Sequence, residues 1–300
     1  MNAPRTIAEY LGQLRSALRG ADAALIQDAL YDAEEHLRAE LAEQPGRSEA
    51  QMLEHVVGSY GAPEEVAEIY RDQEVRIQRA IRPPPPPPRR SLAGRFFGVA
   101  ADGRTWGALF YLLLSLATGI FYFTWAVTGV ALSAGFSVLI IGIPFIVLFF
   151  SSVRGLSLLE GRIVEAMLGV RMPRRPPYAA RQGEPLLRRI GAMFTDPRSW
   201  STLLYMLLML PLGILYFTVA VTLLSLSIGF AAAPLIKAFG FDVIDADLAG
   251  YSYHGPGWAG TFGLCLLGIV LLFASLHLVR GLGRVHGQVA KHLLVAGAAA

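Results

Sequence analysis

Residues 105–153 contain no aspartate, glutamate, lysine or arginine over 49 consecutive positions. Two further uncharged runs cover residues 199–236 and 249–279. About 20 apolar residues span a bilayer as a helix, so the first run is long enough for two helices and each of the others for one. The sequence therefore predicts an all-α membrane module of four spans. We place these spans near residues 107–128, 132–151, 201–224 and 259–279.

The first span is repeated later in the chain. Residues 95–136 align with residues 189–230 at a shift of 94 positions, with 21 identities in 42 positions. Polar and aromatic residues keep their places in both copies, so apolar composition alone does not explain the match. Downstream, residues 154–155 match residues 280–281 at a shift of 126, which leaves 32 extra residues inside the second copy. The sequence therefore predicts two duplicated hairpins within residues 95–300.

Composition places this chain between the soluble and the purely membrane classes, because 54% of its residues are hydrophobic and 16% are charged. Residues 1–82 carry nine arginines and fifteen acidic residues, a net charge of −6, whereas residues 83–300 have a net charge of +9. The overall charge therefore describes neither part, and it does not indicate nucleic-acid binding. A single cysteine, Cys265, excludes an intrachain disulfide. No cofactor site is expected.

Residues 1–82 have the pattern of a small helical domain. Apolar residues recur at three- and four-residue spacing in the first two predicted helices, which gives each an apolar stripe. Asp22 is a predicted helix cap, and Ser48 with Gln51 has the spacing of a capping box. Pro63 suits a first helical turn. Because the first apolar run begins only after residue 104, we expect no cleavable signal peptide and a cytosolic N-terminus.

Three segments of this domain carry a family resemblance. Tyr10-Leu11-x-x-Leu14, the stretch 31–37 (Tyr-Asp-Ala-Glu-Glu-His-Leu) and the stretch 60–67 (Tyr-Gly-Ala-Pro-Glu-Glu-Val-Ala) resemble the HAAS signalling domain. Such domains occur in bacterial membrane proteins partnered with PadR-type transcription regulators. The resemblance implies a protein-binding role rather than catalysis, and we expect no direct nucleic-acid partner. The residues predicted to contact the partner are Tyr31, Glu34, Glu35 and His36.

A linker at residues 83–94 joins this domain to the membrane module. It begins with six prolines at 83–88, which form a stiff polyproline spacer of roughly 19 Å. After the prolines, Leu92, Phe96 and Phe97 interleave with arginines, a pattern that suits a short helix on the membrane surface.

The distribution of arginine predicts the orientation in the membrane. Residues 154–198 hold nine arginines against four acidic residues, whereas residues 237–258 hold one lysine and three aspartates. Positive loops stay inside, so we expect both termini and the central loop in the cytosol. Trp106 and Trp200 then become interface anchors at equivalent inner positions. Since both copies enter from the same side, we expect them to be related by an axis along the membrane normal.

The duplicated region has a resemblance of its own. The motifs that carry it are residues 142–144 (Gly-Ile-Pro), 159–162 (Leu-Glu-Gly-Arg), 196–200 (Asp-Pro-Arg-Ser-Trp), 210–214 (Leu-Pro-Leu-Gly-Ile) and 280–286 (Arg-Gly-Leu-Gly-Arg-Val-His). They resemble the sensor domain that precedes histidine kinase modules in actinobacterial proteins, over about residues 95–296. No phosphoacceptor or ATP-binding segment follows the last span. We therefore expect the N-terminal domain to carry the output.

Candidate chemistry within the predicted spans is sparse. They contain no charged residue, and His277 is interpreted as a helix-end histidine in preference to a switch. The loop before the last span is the predicted place for an external stimulus, although a solvated connector is the favoured alternative. Its candidate sensing residues are Asp242, Asp245, Asp247, Tyr251, Tyr253, His254 and Trp258. The aspartate spacing does not match a calcium-binding loop, and no metal site is expected.

These observations favour a bacterial inner-membrane sensor or regulatory protein that relays a membrane signal to a cytosolic regulator. The alternative is a transporter or channel with a cytosolic regulatory domain, for which the uncharged spans are less suitable. An enzyme is not expected, since no nucleophile with a base, metal cluster or phosphate loop is present in the sequence. The expected partners are the lipid bilayer and the cytosolic regulator, and a homodimer is left open.

Overall fold

The computed structural model describes residues 3–44, 46–81, 91–137, 142–175, 191, 195–241, 245–248 and 251–295. Only the backbone is described for residues 80–81 and for the two strands. The predicted proline spacer at 83–88 and the sensing residue Asp242 lie outside the described residues.

Helices make up nearly all of the described chain. The N-terminal domain contains α1 (Ile7–Ala17), α2 (Ala23–Glu43), α3 (Glu49–Ser59) and α4 (Pro63–Ile81). The membrane module contains α5 (Leu92–Phe97), a 3₁₀ turn (Gly98–Ala101), α6 (Gly103–Phe136), α7 (Gly142–Leu168), α8 (Pro197–Ala231), α9 (Ala233–Ala238), β1 (Asp245–Leu248), β2 (Tyr251–His254) and α10 (Trp258–Leu294). The predicted all-α fold class is confirmed.

Four helices in the described part of the chain, α6, α7, α8 and α10, are long and apolar enough to cross a membrane. This is a multi-pass membrane protein. Two of these helices continue well past the predicted spans, since α7 ends at Leu168 and α10 at Leu294. The extensions carry charged and polar residues that the span prediction left outside the helices.

The loop before α10 contains a short antiparallel hairpin that the sequence analysis did not predict. Strand β1 pairs with β2 so that Asp245 lies opposite His254 and Asp247 opposite Ser252. The two strands are only four residues each, which is too short to change the fold class.

The chain divides into two compact units. The first comprises Met1–Pro85, Thr128–Tyr205 and Gly287–Ala300, and the second comprises Pro86–Val127 and Met206–His286. The N-terminal domain, called the head below, belongs entirely to the first unit. So do α7 and the C-terminal end of α10.

The head has one apolar core, formed by α1 to α4. Its buried members are Ile7, Tyr10, Leu14, Leu18, Leu25, Ala29, Ala33, Leu37, Met52, Leu53, Val56, Val66 and Ala67. The predicted caps are present: the Asp22 side chain accepts from the backbone N–H of Ala24, and Ser48 forms a capping box with Gln51. At the start of α4, the backbone N–H of Ala62 donates to Glu65.

Tyr10 ties α1 to the turn before α4, because its hydroxyl donates to the carbonyl of Gly61 at 2.8 Å. Burial raises the pKa of this phenol, so it remains a neutral donor in the folded head. We expect Tyr10→Phe to destabilise the head by about 1–2 kcal/mol, since the Gly61 carbonyl loses its partner. Hydrogen exchange of α1 amides in the full chain measures this loss.

The same substitution should remove part of the alkaline sensitivity of the head. Because the folded pKa of Tyr10 lies above its ordinary value, the stabilisation is complete below about pH 10 and is lost as the pH rises beyond it. Tyr31→Phe, at a tyrosine outside this core, is the matched control. Equal exchange rates in both variants would contradict this role.

Side-chain pairs repeat the sequence duplication in the structure. In the first unit, Arg154 pairs with Asp196 at 3.5 Å, and Tyr205 donates to Glu160 at 2.9 Å. Shifts of 94 and 126 positions convert these pairs into two others in the second unit. There Arg280 pairs with Asp102 at 2.7 Å, and Tyr111 bonds His286 at 2.6 Å. In every pair, the first helix of one copy contacts the second helix of the other.

The two equivalent glycines Gly119 and Gly213 provide a third reciprocal contact, between α6 and α8. A Cβ atom added to Gly119 would collide with the backbone carbonyl of Met209, and one added to Gly213 would collide with that of Ser115. Met209 and Ser115 are themselves 94 positions apart, so the two contacts are equivalent. The two duplicated hairpins and the direction of the axis that would relate them remain predictions.

Candidate functional site

The segment that follows α7 carries the candidate site. Gly169 has a φ of 68°, a left-handed conformation that ends the helix, and its N–H bonds the carbonyl of Glu165 at 3.1 Å. The next residues, 170–175, leave the helix and are here called the docking segment. Residues 171–173 of the segment are buried, with Arg171 at 7% and Met172 at 1% exposure.

Arg171 lies at the centre of a buried ionic cluster. Its guanidinium is 3.0 Å from Asp28 of α2, 3.2 Å from Glu74 of α4 and 3.6 Å from Glu165 of α7. All four side chains are less than 10% exposed. One cation thereby joins two helices of the head to the end of a membrane helix.

Backbone hydrogen bonds extend this attachment along the docking segment. Asp28 accepts the N–H groups of Arg174 at 2.7 Å and of Arg175 at 2.9 Å. The Gln27 side chain donates to the carbonyl of Arg175 at 2.9 Å. The head therefore recognises main-chain groups of the segment as well as its arginine side chain.

The last arginines of the segment lie at its more exposed end. Arg175 pairs with Asp32 at 3.0 Å, and its guanidinium carbon lies 5.6 Å from the centre of the Tyr31 ring. Arg174 approaches Glu165 at 3.5 Å. The side chains of Arg174 and Arg175 are 41% and 51% exposed, so these outer pairs are solvated and contribute little on their own.

The opposite side of the docking segment packs on the ends of two membrane helices. Met172 lies against Gly161 of α7, and Val170 lies against Gly287 of α10. These two glycines are equivalent under the shift of 126 positions. In addition, Lys291 near the end of α10 forms an ion pair with Asp22 of the head. The segment is thus held between the head and the ends of both second helices.

In the buried cluster, desolvation of the charged groups opposes the stabilisation that they gain from hydrogen bonds and ion pairs. Desolvation raises the pKa of Asp28, while the backbone N–H groups of Arg175 and Arg174 and the guanidinium of Arg171 oppose that rise. Desolvation alone would lower the pKa of Arg171, but Glu74, Asp28 and Glu165 raise it above its ordinary value. Buried ion clusters of this kind repay their desolvation cost only when every member is paired, so losing one member is costly.

The predicted partner-contact residues lie along or beside the face of α2 that carries Asp28 and Asp32, called the acidic face below. Tyr31 belongs to the face, as its contact with Arg175 shows. Glu34 pairs with Arg38 at 2.9 Å, and His36 stacks on Tyr60 with ring centres 4.4 Å apart. Glu35 is exposed, seven residues after Asp28 and therefore on the same side of the helix.

The other predicted residues lie elsewhere. Trp106 and Trp200 occupy the fourth position of α6 and α8, and both are 52% exposed, while their role as interface anchors remains a prediction. His277 is exposed and bonds the carbonyl of Phe96 in α5 at 3.1 Å. Trp258 is the first residue of α10 and is exposed. The backbone hairpin carries the remaining candidates, Asp245 and Asp247 on β1 and Tyr251, Tyr253 and His254 on β2.

Sequence reasoning missed the residues of the cluster and mispredicted one of them. Helical periodicity places Asp28, with Asp32 and Glu35, on the polar outer face of α2, but Asp28 is only 6% exposed because the docking segment covers it. Glu160 and His286, at 1% and 0% exposure, were recognised as parts of family motifs but were given no contact, because they lie beyond the predicted spans. The sequence repeat could have indicated that these two residues have equivalent roles, since the shift of 126 positions aligns Glu160 with His286.

Comparison with family models accounts for most of the chain. Residues 9–69 match the HAAS model, which covers most of the core of the head and all of α2. Residues 111–294 match the Sensor family, described as "Putative sensor". The comparisons with curated proteins and with solved structures return no match. The two domains and the four membrane-compatible helices support a membrane sensor or regulatory role, and the chain belongs to the Sensor family, with a HAAS domain at its N-terminal side.

Proposed function

We propose that this protein relays a membrane signal to a cytosolic regulator through its head. In this proposal the protein lies in the bacterial inner membrane with both termini and the head in the cytosol. It acts by protein binding and catalyses no reaction. A PadR-type transcription regulator is the proposed partner, because the HAAS domain is a protein-interaction domain.

The observation that carries the proposal is the short connection between α7 and the ionic cluster. Only Gly169 and Val170 separate the end of α7 from Arg171. Two residues span at most about 7 Å, so the connection cannot absorb a large movement of the helix. Glu165, inside α7, is itself a member of the cluster. A change in tilt or position of α7 would therefore strain or break the attachment of the head.

A second connection supports the same mechanism. Lys291 of α10 holds Asp22, which caps the first turn of α2. Both second helices of the duplicated hairpins thus end on the head. A membrane condition that shifts either helix, such as a change in bilayer thickness, would therefore displace α2 and its exposed acidic face through these contacts.

Photo-crosslinking from α2 tests this function in intact cells. We expect a photoreactive residue in place of Glu35 of the full chain to capture a DNA-binding regulator from the cytosol. The same residue in place of Glu54, exposed on α3, is the control and should not capture it. Failure to capture a regulator from either position, together with solute flux through liposomes containing the purified protein, would favour a transporter and contradict the proposal.

A further inference from the structure

The head holds the docking segment in the way that a receptor holds a peptide. Asp28 accepts two consecutive main-chain N–H groups, and Gln27 donates to a main-chain carbonyl. The Arg171 side chain enters between Asp28 and Glu74. Main-chain contacts do not depend on the side chains of the segment, so another chain with the same backbone conformation and an arginine at the same place could make them.

The charge of this face selects a basic occupant. The head carries a net charge of −6, and its contacts with the docking segment use Asp28, Asp32 and Glu74. Glu35 continues the acidic row beyond the segment and remains exposed. Complementary charge of this kind favours association with an arginine-bearing partner and disfavours acidic ones.

The docking segment is held in a way that allows a segment of a partner protein to replace it. Its outer arginines are largely solvated, and its one deep arginine pays a desolvation cost that offsets much of the attraction. If a partner supplies an equivalent arginine, all carboxylates of the head remain paired throughout. The exchange therefore avoids the cost of leaving a buried charge alone.

We propose that this face is the partner-binding surface of the head, and that the docking segment is an internal competitor for a cytosolic partner with a non-helical, arginine-bearing segment. The inference rests on the proposed function and adds the chemistry of the partner. An internal segment that fills the site 90–99% of the time would weaken the apparent affinity of the partner by about 10- to 100-fold.

A labelled peptide tests this inference on the full chain in nanodiscs. The probe is a synthetic peptide with the sequence of residues 169–175, Gly-Val-Arg-Met-Pro-Arg-Arg. We expect Arg171→Met to bind it about 10-fold more tightly than the natural chain does, because the internal competitor is weakened. Adding Asp28→Asn to that variant should abolish binding. Equal affinity of the natural chain and Arg171→Met, or binding unaffected by Asp28→Asn, would overturn the inference.

A reversible lock keeps the test decisive if Arg171→Met folds poorly. Asp32→Cys with Arg175→Cys, in a Cys265→Ser background, can be bridged by a reducible thiol-specific cross-linker long enough to replace the Arg175 side chain, which pairs with Asp32 at 3.0 Å. Peptide binding should be absent in the cross-linked form and should appear when the cross-linker is cleaved by reduction. Identical binding in both forms would refute competition between the segment and the peptide.

The experiments distinguish failure of the proposed function from failure of the internal-competitor proposal. The peptide measurement needs no regulator, so peptide binding without any protein captured at Glu35 would remove the proposed function and leave the receptor site. Capture of a regulator at Glu35 without displacement of the docking segment would leave the function and remove the internal competitor.

Discussion

Replacing Arg171 by alanine is expected to weaken the docking of the head on the docking segment by about 3–5 kcal/mol. The substitution leaves Asp28, Glu74 and Glu165 close together without the guanidinium that pairs with all three. The head has its own apolar core and should remain folded, so the loss is specific to docking. Hydrogen exchange of the docking segment and of the α2 backbone in the full chain measures it.

Arg38→Ala is the matched control for this prediction. Arg38 pairs with Glu34 one helical turn away, and its side chain is 42% exposed. An exposed pair of this type contributes about 0.3–0.5 kcal/mol, so the control should leave the protection of the docking segment nearly unchanged. Similar losses in Arg171→Ala and Arg38→Ala would show that the buried cluster does not hold the head.

Adding one methyl group at Gly213 is expected to destabilise the membrane module by about 2–3 kcal/mol. The new Cβ would lie 2.8 Å from the carbonyl carbon of Ser115 as well as against its oxygen, and a backbone cannot move aside as a side chain can. Gly119→Ala should have the same effect, since its Cβ would lie 2.9 Å from the carbonyl carbon of Met209. Unfolding in mixed detergent micelles gives the free energies.

Each of these glycines has a control in its own helix. Among the described residues, a Cβ added at Gly229 of α8 or at Gly135 of α6 would meet no atom within 4 Å outside its own stretch of helix. Gly229→Ala and Gly135→Ala should therefore be neutral or slightly stabilising, because alanine is the better helix former. If all four variants unfold alike, close approach of α6 and α8 at these glycines does not stabilise the module.

Local features of the head were predictable because they depend on neighbouring residues. The caps at Asp22 and Ser48 and the apolar stripe of α1 follow from spacings of two to four positions. The burial of Asp28 was not predictable in this way. Its partner, Arg171, is 143 residues away in the chain, and helical periodicity alone assigns an aspartate at that position to solvent.

The apolar helices of the membrane module were predictable from the sequence, but the ends of those helices were not. Uncharged runs define where lipid can surround a helix, and they stop near Val153 and Val279. The helices continue because Glu160 and His286 are paired with tyrosines of the other copy, which lets them remain buried within protein. Runs of uncharged residues therefore locate the lipid-facing part of a helix and underestimate its length.

The distance between the head and α7 tests the central claim most directly. Spin labels at Arg38→Cys on α2 and Arg162→Cys on α7, both exposed and in a Cys265→Ser background, report on it in nanodiscs. Docking through Arg171 predicts one narrow distance distribution, which becomes broad when Arg171→Ala is added. Equally broad distributions with and without Arg171 would contradict the account.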